Sequence, residues 1–335
     1  MVNFDNLGFD VTKVNKNFQA IHDGTSWGEG DLKSDDDITI SAFSTCLHYA
    51  QEVFEGLKAY KTKDGKIQLF RIEENAKRFR DSCKRALIPE VPEAMFIDAV
   101  RKTVLANKEF VPPRKTNGTL YIRPYALGIG YNLGLKPAKK YLFGVLVTPV
   151  GSYFESGINP APFMITDLDR AAPRGTGHVK MGANYAAGLM PNRIAHEQGY
   201  ADCIYLDSET HTRIDEVGAA NFFGITKDGR FVTPSSPSIL PSITRRSLMK
   251  LAEDKLGMQA ECVEIEVDDL NHLAEAGACG TAAVITPISK IDFKDRTFEF
   301  YSATEVGPTT KKLYDLLTGI QFGDIDDPYG WITVL

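Results

Sequence analysis

The stretch 151–162, GSYFESGINPAP, constrains this chain most. It is dense in Gly, Pro, Ser and Asn and lies between two apolar runs, which is how a domain boundary reads. At 335 residues the chain is long for one core and fits two. The division predicted is a smaller N-terminal α/β domain at 1–150, a linker at 151–162 and a larger C-terminal domain at 163–335.

Both sides of that boundary mix strand and helix patterns. Residues 60–71 read as a hairpin, with Asp64-Gly65 as a type I′ turn signal. From Glu73 the period becomes helical, with Ala76, Phe79, Cys83 and Leu87 on one face and Pro89 and Pro92 as stops. A second helix is predicted over 93–108, with Phe96, Val100 and Val104 in register; strands follow at 119–123 and 141–147. Beyond the linker, a helix is predicted at 184–198, with a kink or a new first turn at Pro191. A strand at 202–207 and a hairpin at 220–233 built on Asp228-Gly229 follow. Next comes a helix at 242–256, with Ser242 as N-cap and Gly257 past its end. The spacing then predicts a strand at 259–267, a short helix at 269–276 and a strand at 284–286 opened by Gly280-Thr281-Ala282. The fold class is α/β, of the α+β type.

Composition removes several function classes. Net charge is −6, which argues against a nucleic-acid partner. The five cysteines are scattered and odd in number, which points to a reducing, cytoplasmic compartment rather than a disulfide framework. The six histidines show no metal-ligand spacing, so no metal is expected. The first residues lack a basic region followed by an apolar core, so no signal peptide is read there. The most apolar run, 141–150, is about half of what a bilayer span requires, so no membrane partner is expected.

Five features carry chemistry. Lys180 lies between Val179 and Met181, with glycines at 175, 177 and 182 that would let backbone approach a ligand. A lysine in an apolar setting loses part of its preference for the charged form and becomes an amine able to form a Schiff base; a surface lysine at a helix start is the plain alternative. The hydroxyl-rich 235–245 loop feeds a helix N-terminus, which is an anion site or an ordinary cap. Arg71, between a hairpin strand and a helix, is a phosphate clamp or a surface residue. The Asp215-Glu216 carboxylates, if buried, need a cationic partner; otherwise they are loop acids. Gly280-Thr281-Ala282 could present N–H groups to an anion, as many tight turns can. An amine, an anion cup and a carboxylate together suit a cofactor with an aldehyde, a phosphate and a ring nitrogen: pyridoxal 5′-phosphate.

The chain closely resembles the branched-chain amino acid aminotransferases, class IV aminotransferases of PLP fold type IV. The resemblance runs through HYAQEVFEGLKAY (48–60), LFRIEENAKRF (69–79), YIRPY (121–125), PVGSYF (149–154), RAAPRGTGHVKMGANYAAG (170–188), IDEVGAANFF (214–223), SILPSITRRSL (238–248) and GTAAVITPI (280–288). It implies two mixed-sheet domains with helices and an active site at the domain interface. It also implies exchange of the amino group between L-leucine, L-isoleucine or L-valine and 2-oxoglutarate.

Carried over residue by residue, the resemblance implies that Lys180 forms the Schiff base and then moves the substrate Cα proton. Glu216 pairs with the ring nitrogen, Tyr185 donates to the ring oxygen, and Leu240 packs on the ring. Arg71, Ile243, Thr244 and Thr281 hold the phosphate. Thr281 and Ala282 N–H groups with Tyr121 take the α-carboxylate, and Arg123 takes the γ-carboxylate. Phe54, Tyr49 and Tyr185 line the apolar pocket. Tyr153 and Leu135 come from a neighbouring subunit, which implies a homodimer. Some members carry a Cys-x-x-Cys after the Gly-Thr-Ala turn; here Ala283 and Thr286 stand there, so no thiol switch is expected. D-amino acid aminotransferases and aminodeoxychorismate lyases share the fold and are the alternative, as is a non-enzymatic cofactor-binding protein.

Overall fold

The structure is a computed structural model, and it describes residues 3–4, 7–8, 10–151 and 158–335. In chain order the strands are β1 (Asn17–His22), β2 (Asp31–Lys33), β3 (Glu52–Phe54), β4 (Leu57–Lys61), β5 (Ile67–Phe70), β6 (Thr119–Ile129), β7 (Lys140–Val150), β8 (Ala161–Ile165) and β9 (Asp202–Leu206). They continue as β10 (Ile214–Val217), β11 (Ala220–Thr226), β12 (Phe231–Pro234), β13 (Ala260–Val263), β14 (Leu273–Gly280), β15 (Val284–Phe293), β16 (Arg296–Glu299) and β17 (Ile332–Val334). The helices are α1 (Thr45–Tyr49), α2 (Ile72–Arg85), α3 (Glu93–Ala106), α4 (Gly182–Glu197), α5 (Ile243–Leu256) and α6 (Pro308–Phe322). Among the described residues, no helix is long and apolar enough to cross a membrane.

Contacts group the chain into two compact units: 1–153 with 179–182 and 320–335, and 154–178 with 183–319. The first holds a sheet ordered β17-β5-β4-β6-β7-β1-β2, with β3 also on β6; every pairing among its described residues is antiparallel. Its centre is the β6–β7 ladder, in register from Thr119↔Val150 to Ile129↔Lys140 and longer than the sequence predicts. Phe79 of α2 and Phe96 of α3 pack on Phe143 of β7, at ring distances of 5.6 and 6.3 Å. The α2 face expected from spacing is buried at Ala76, Phe79 and Cys83. Leu87 departs from it: it lies past the helix end with φ 54 and is 64% exposed. The C-terminal strand β17 pairs with β5, which is why residues 320–335 join this unit.

The second unit holds the mixed sheet. Its order is β10-β9-β8-β15-β14-β11-β12-β13, and β10 also pairs with β11, so six of these strands close on themselves. Strands β8 and β9, β15 and β8, and β12 and β13 pair in parallel. Helix α5 forms as its ends dictate. The Ser242 hydroxyl accepts the Arg245 N–H at 3.1 Å, and Gly257 takes φ 65. Helix α4 runs unbroken through Pro191. The short helix expected at 269–276 is instead a 3₁₀ turn over Val267–His272 leading into β14. β14 lies between β11 and β15, and ladder bonds to two neighbours outweigh the weak helical bias of an Ala-rich run.

Each unit contains one Thr-Lys-Asp-Gly turn. The Thr62 N–H donates to Lys66 O at 2.9 Å and Gly65 N–H to Thr62 O at 3.1 Å, with φ 85 at Gly65. Thr226, Arg230 and Gly229 repeat this at 2.9 and 2.9 Å, with φ 88 at Gly229. A type I′ turn would need positive φ at Asp64 as well, and Asp64 does not have it. Both are turns closed by a left-handed glycine.

Candidate functional site

The lysine segment 179–182 belongs to the first unit. Val179 and Met181 are buried in its core and anchor the segment on either side of Lys180. The Lys180 N–H donates to Ser82 Oγ of α2 at 3.2 Å, and its carbonyl accepts the Phe54 N–H at 3.0 Å. Gly182 N–H donates to a Glu52 carboxylate oxygen. The half-buried Lys180 side chain then lies with Nζ 4.9 Å from the Phe54 ring centroid.

Beneath it lies Glu55, fully buried. Its carboxylate accepts Arg78 Nε at 2.7 Å and Nη2 at 2.9 Å, Asn75 Nδ2 at 2.8 Å and the Gly56 N–H at 3.1 Å. Burial pushes this carboxyl up, but Arg78, Lys180 and Asn75 outweigh it and hold it below its usual value. No reading of the sequence singled out this carboxylate; the Glu in the FEG step was its visible signal.

Phe54 collects a second cation. The Arg123 guanidinium lies 4.7 Å from the same ring centroid, and its Nη2 donates to the Tyr121 hydroxyl at 3.0 Å. So Lys180, Phe54, Tyr121 and Arg123, named separately from the sequence, come together. Tyr49 lies on the same unit, its hydroxyl donating to Leu133 O at 2.5 Å. Leu135 in that loop is 86% exposed. Arg71 has φ 51, its N–H bonds Trp331 O at 2.7 Å, and its guanidinium lies 5.0 Å from the Trp331 ring centroid. Tyr153 lies outside the described residues.

In the second unit the anchor is Glu216, 4% exposed on β10. Sequence reasoning required a cation if this acid were buried, and the structure supplies Arg170, with Nε 3.0 Å from Glu216 Oε2. Arg170 Nη2 also bonds Gly177 O at 3.1 Å and Ser238 O at 2.5 Å, so it ties three segments together. Glu216 Oε1 accepts Asn221 Nδ2 at 2.9 Å and the Leu240 N–H at 2.5 Å. Arg170 stood inside a quoted motif, yet nothing local marked it as the partner.

Across neighbouring strands Glu216 aligns with Asn221, and Asn221 with Cys279. Gly280-Thr281-Ala282 therefore turns off the strand two away from Glu216. Cys279 is buried, and burial pushes its thiol up to about 12, which keeps it protonated. Ile243 and Thr244 open α5, where the first N–H groups have no carbonyl a turn earlier to bond. Tyr185 lies in the first turn of α4, half-buried. The neighbouring Asn184 fixes that turn, its Nδ2 donating to Thr176 O at 2.8 Å.

Two of the glycines near Lys180 are closely approached by the protein's own atoms. A Cβ on Gly177 would stand 2.0 Å from Ser238 O, and one on Gly182 2.0 Å from Glu52 Oε1. Both make room for the protein's own neighbours.

Each unit taken by itself holds groups that suit part of a pyridoxal phosphate. The first has an amine on an aromatic face; the second has a buried carboxylate paired with an arginine and a helix N-terminus suited to phosphate.

The family model for amino-transferase class IV matches residues 52–291. The branched-chain-amino-acid aminotransferase of Haemophilus influenzae is 51% identical, over 99% of this chain and 98% of that protein. That of Helicobacter pylori is 51% identical, over 99% and 97%. Among solved structures, the Escherichia coli branched-chain amino acid aminotransferase matches with TM-score 0.78 at 26% identity, over 96% of this chain and 99% of that one. A T.th. branched-chain amino acid aminotransferase with pyridoxamine 5′-phosphate matches with TM-score 0.81 at 26% identity, over 96% and 98%. The chain belongs to the class IV aminotransferases, and within them to the branched-chain amino acid aminotransferases.

Proposed function

We propose that this chain exchanges the amino group between L-leucine, L-isoleucine or L-valine and 2-oxoglutarate, using pyridoxal 5′-phosphate. One observation carries the reading: the Lys180 amine and the Arg123 guanidinium share the Phe54 ring, at 4.9 and 4.7 Å. An aromatic face suits an aliphatic side chain, and a guanidinium beside it suits the γ-carboxylate of the second substrate.

When bound, the cofactor supplies an aldehyde and an electron-withdrawing ring. Lys180 would hold the aldehyde carbon and would move the proton at the substrate Cα. Glu216, paired with Arg170, would face the ring nitrogen and favour its protonated form. Tyr185 would donate to the ring oxygen and Leu240 would pack on the ring. Arg71, the N–H groups of Ile243 and Thr244, and the Thr244 and Thr281 hydroxyls would hold the phosphate. Tyr121 and the Thr281 and Ala282 N–H groups orient the α-carboxylate, and Tyr49, Phe54 and Tyr185 exclude water around the side chain.

We also read the enzyme as a homodimer. Phe43, Leu47, Tyr49, Tyr131, Leu133 and Leu135 are all exposed on the first unit, an apolar patch suited to a second copy that would receive Leu135 and Tyr153. Five free thiols support a cytoplasmic setting.

The test is the visible spectrum of the cofactor-loaded enzyme. L-leucine should bleach its absorption and 2-oxoglutarate restore it. A response to D-alanine and none to L-leucine would reject the reading.

A further inference from the structure

On β3, Glu52 and Phe54 stand two residues apart and so share one face of the sheet. β6 aligns Leu127 with Glu52 and Tyr125 with Phe54, which puts Arg123 on that face one pair further along. Arg123 does not stand straight out. Its guanidinium folds over the Phe54 ring, 4.7 Å from the centroid, which carries the charge along the strand toward Glu52. One Glu52 oxygen accepts the Gly182 N–H at the start of α4. Burial raises the Glu52 pKa, while that N–H and the positive charge of Arg123 pull it back. The two side chains therefore feel each other without forming a direct ion pair.

Under the reading above, Arg123 must serve two kinds of ligand. Beside a γ-carboxylate its charge is matched. Arg123 is exposed in the chain itself; an aliphatic side chain bound beside it would take water from the guanidinium, and there a counter-charge lowers the cost. We propose that Glu52 is the resident counter-charge of Arg123: it compensates the guanidinium while an aliphatic side chain is bound and competes with an incoming γ-carboxylate. Glu52 thereby sets the ratio in which the two substrate classes are accepted. It acts through Arg123 and is a positioning residue.

Glu52→Gln removes the charge and keeps a side-chain carbonyl for the Gly182 N–H. Calorimetry on the cofactor-loaded enzyme would compare glutarate with 4-methylvalerate, two acids that lack the amino group and cannot turn over. Glutarate should bind about three- to tenfold tighter to the variant and 4-methylvalerate about twofold or more weaker, as expected for one screened charge interaction. KM for 2-oxoglutarate should fall while KM for L-leucine rises. Glu52→Ser should shift the ratio in the same direction, and Glu52→Asp should retain the wild-type ratio. A purely structural role at Gly182 would move both ligands alike; an equal shift, or none, in Glu52→Gln and Glu52→Ser overturns the assignment. Absence of leucine–2-oxoglutarate exchange in the wild type would overturn the reading of function instead.

Discussion

Lys180 and Phe54 meet twice. The Phe54 N–H bonds the Lys180 carbonyl at 3.0 Å, and the Phe54 ring lies 4.9 Å from the Lys180 Nζ. The backbone bond fixes where the lysine starts, and the ring gives its amine an apolar surface to lie along. Strand β3 thus aims the amine as well as flanking it.

Replacing Lys180 with Ala should therefore end turnover with little loss of fold. The contacts given up include one cation over a ring, worth about 0.5–1 kcal/mol at a partly exposed site, and one of the positive charges that act on Glu55. Borohydride treatment followed by peptide mass spectrometry should find the pyridoxyl adduct on the 180 peptide of the wild type and none in the variant. An adduct elsewhere in the wild type would remove Lys180 from its role.

Glu216 separates charge from shape. Glu216→Gln keeps an acceptor for the Leu240 N–H but deprives Arg170 of its counter-charge. We expect kcat to fall on the order of a hundredfold or more, as for loss of one charge-stabilising contact to the reacting system. Stability should fall by about 3 kcal/mol, because the largely enclosed Arg170 side chain loses its counter-charge. Single-turnover rates and urea unfolding would read the two effects; a wild-type rate would contradict the proposed role.

Gly177→Ala and Gly182→Ala should differ although both Cβ positions are equally crowded at 2.0 Å. At Gly182 the neighbour is the end of the Glu52 side chain, which can swing aside. At Gly177 it is the Ser238 carbonyl, which also holds Arg170. Gly177→Ala should cost about 1–3 kcal/mol by overpacking, and Gly182→Ala clearly less. Thermal melts of the two variants would check the order.

Lys58, on β4 opposite Tyr121, is buried, and burial lowers its pKa from 10.5 to about 8. Between these values the unfolded chain binds more protons than the folded one, so stability rises with pH across that window. Below about 8 the full penalty applies. Lys58→Met should thus remove that rise: its stability relative to the wild type is greatest below pH 8 and declines as pH rises toward 10.5. Urea unfolding at several pH values would measure it; a difference that does not change with pH would contradict the titration.

Much of the local structure could be read from residues alone, because its causes are local. Asp64-Gly65 and Asp228-Gly229 sit at turns since glycine accepts the left-handed backbone there. Ser242 and Gly257 bound α5 because a hydroxyl and a left-handed glycine satisfy helix ends from within a few residues. Lys180 and Glu216 stood out through their neighbours in the sequence. What failed locally was the run 269–276, whose helical pattern gave way to strand pairing with β11 and β15.

The sequence by itself determined the turns, caps, buried helix faces and the chemical identity of the candidate groups, since each depends on φ preferences, spacing or motif within a short span. Tertiary structure alone decided that Arg170 meets Glu216, that Arg78 meets Glu55, that Arg123 folds over Phe54, and that β17 closes onto β5. A buried charge dictates that a partner must exist. Which of several arginines serves depends on which strand edges and helix faces the folded chain brings together.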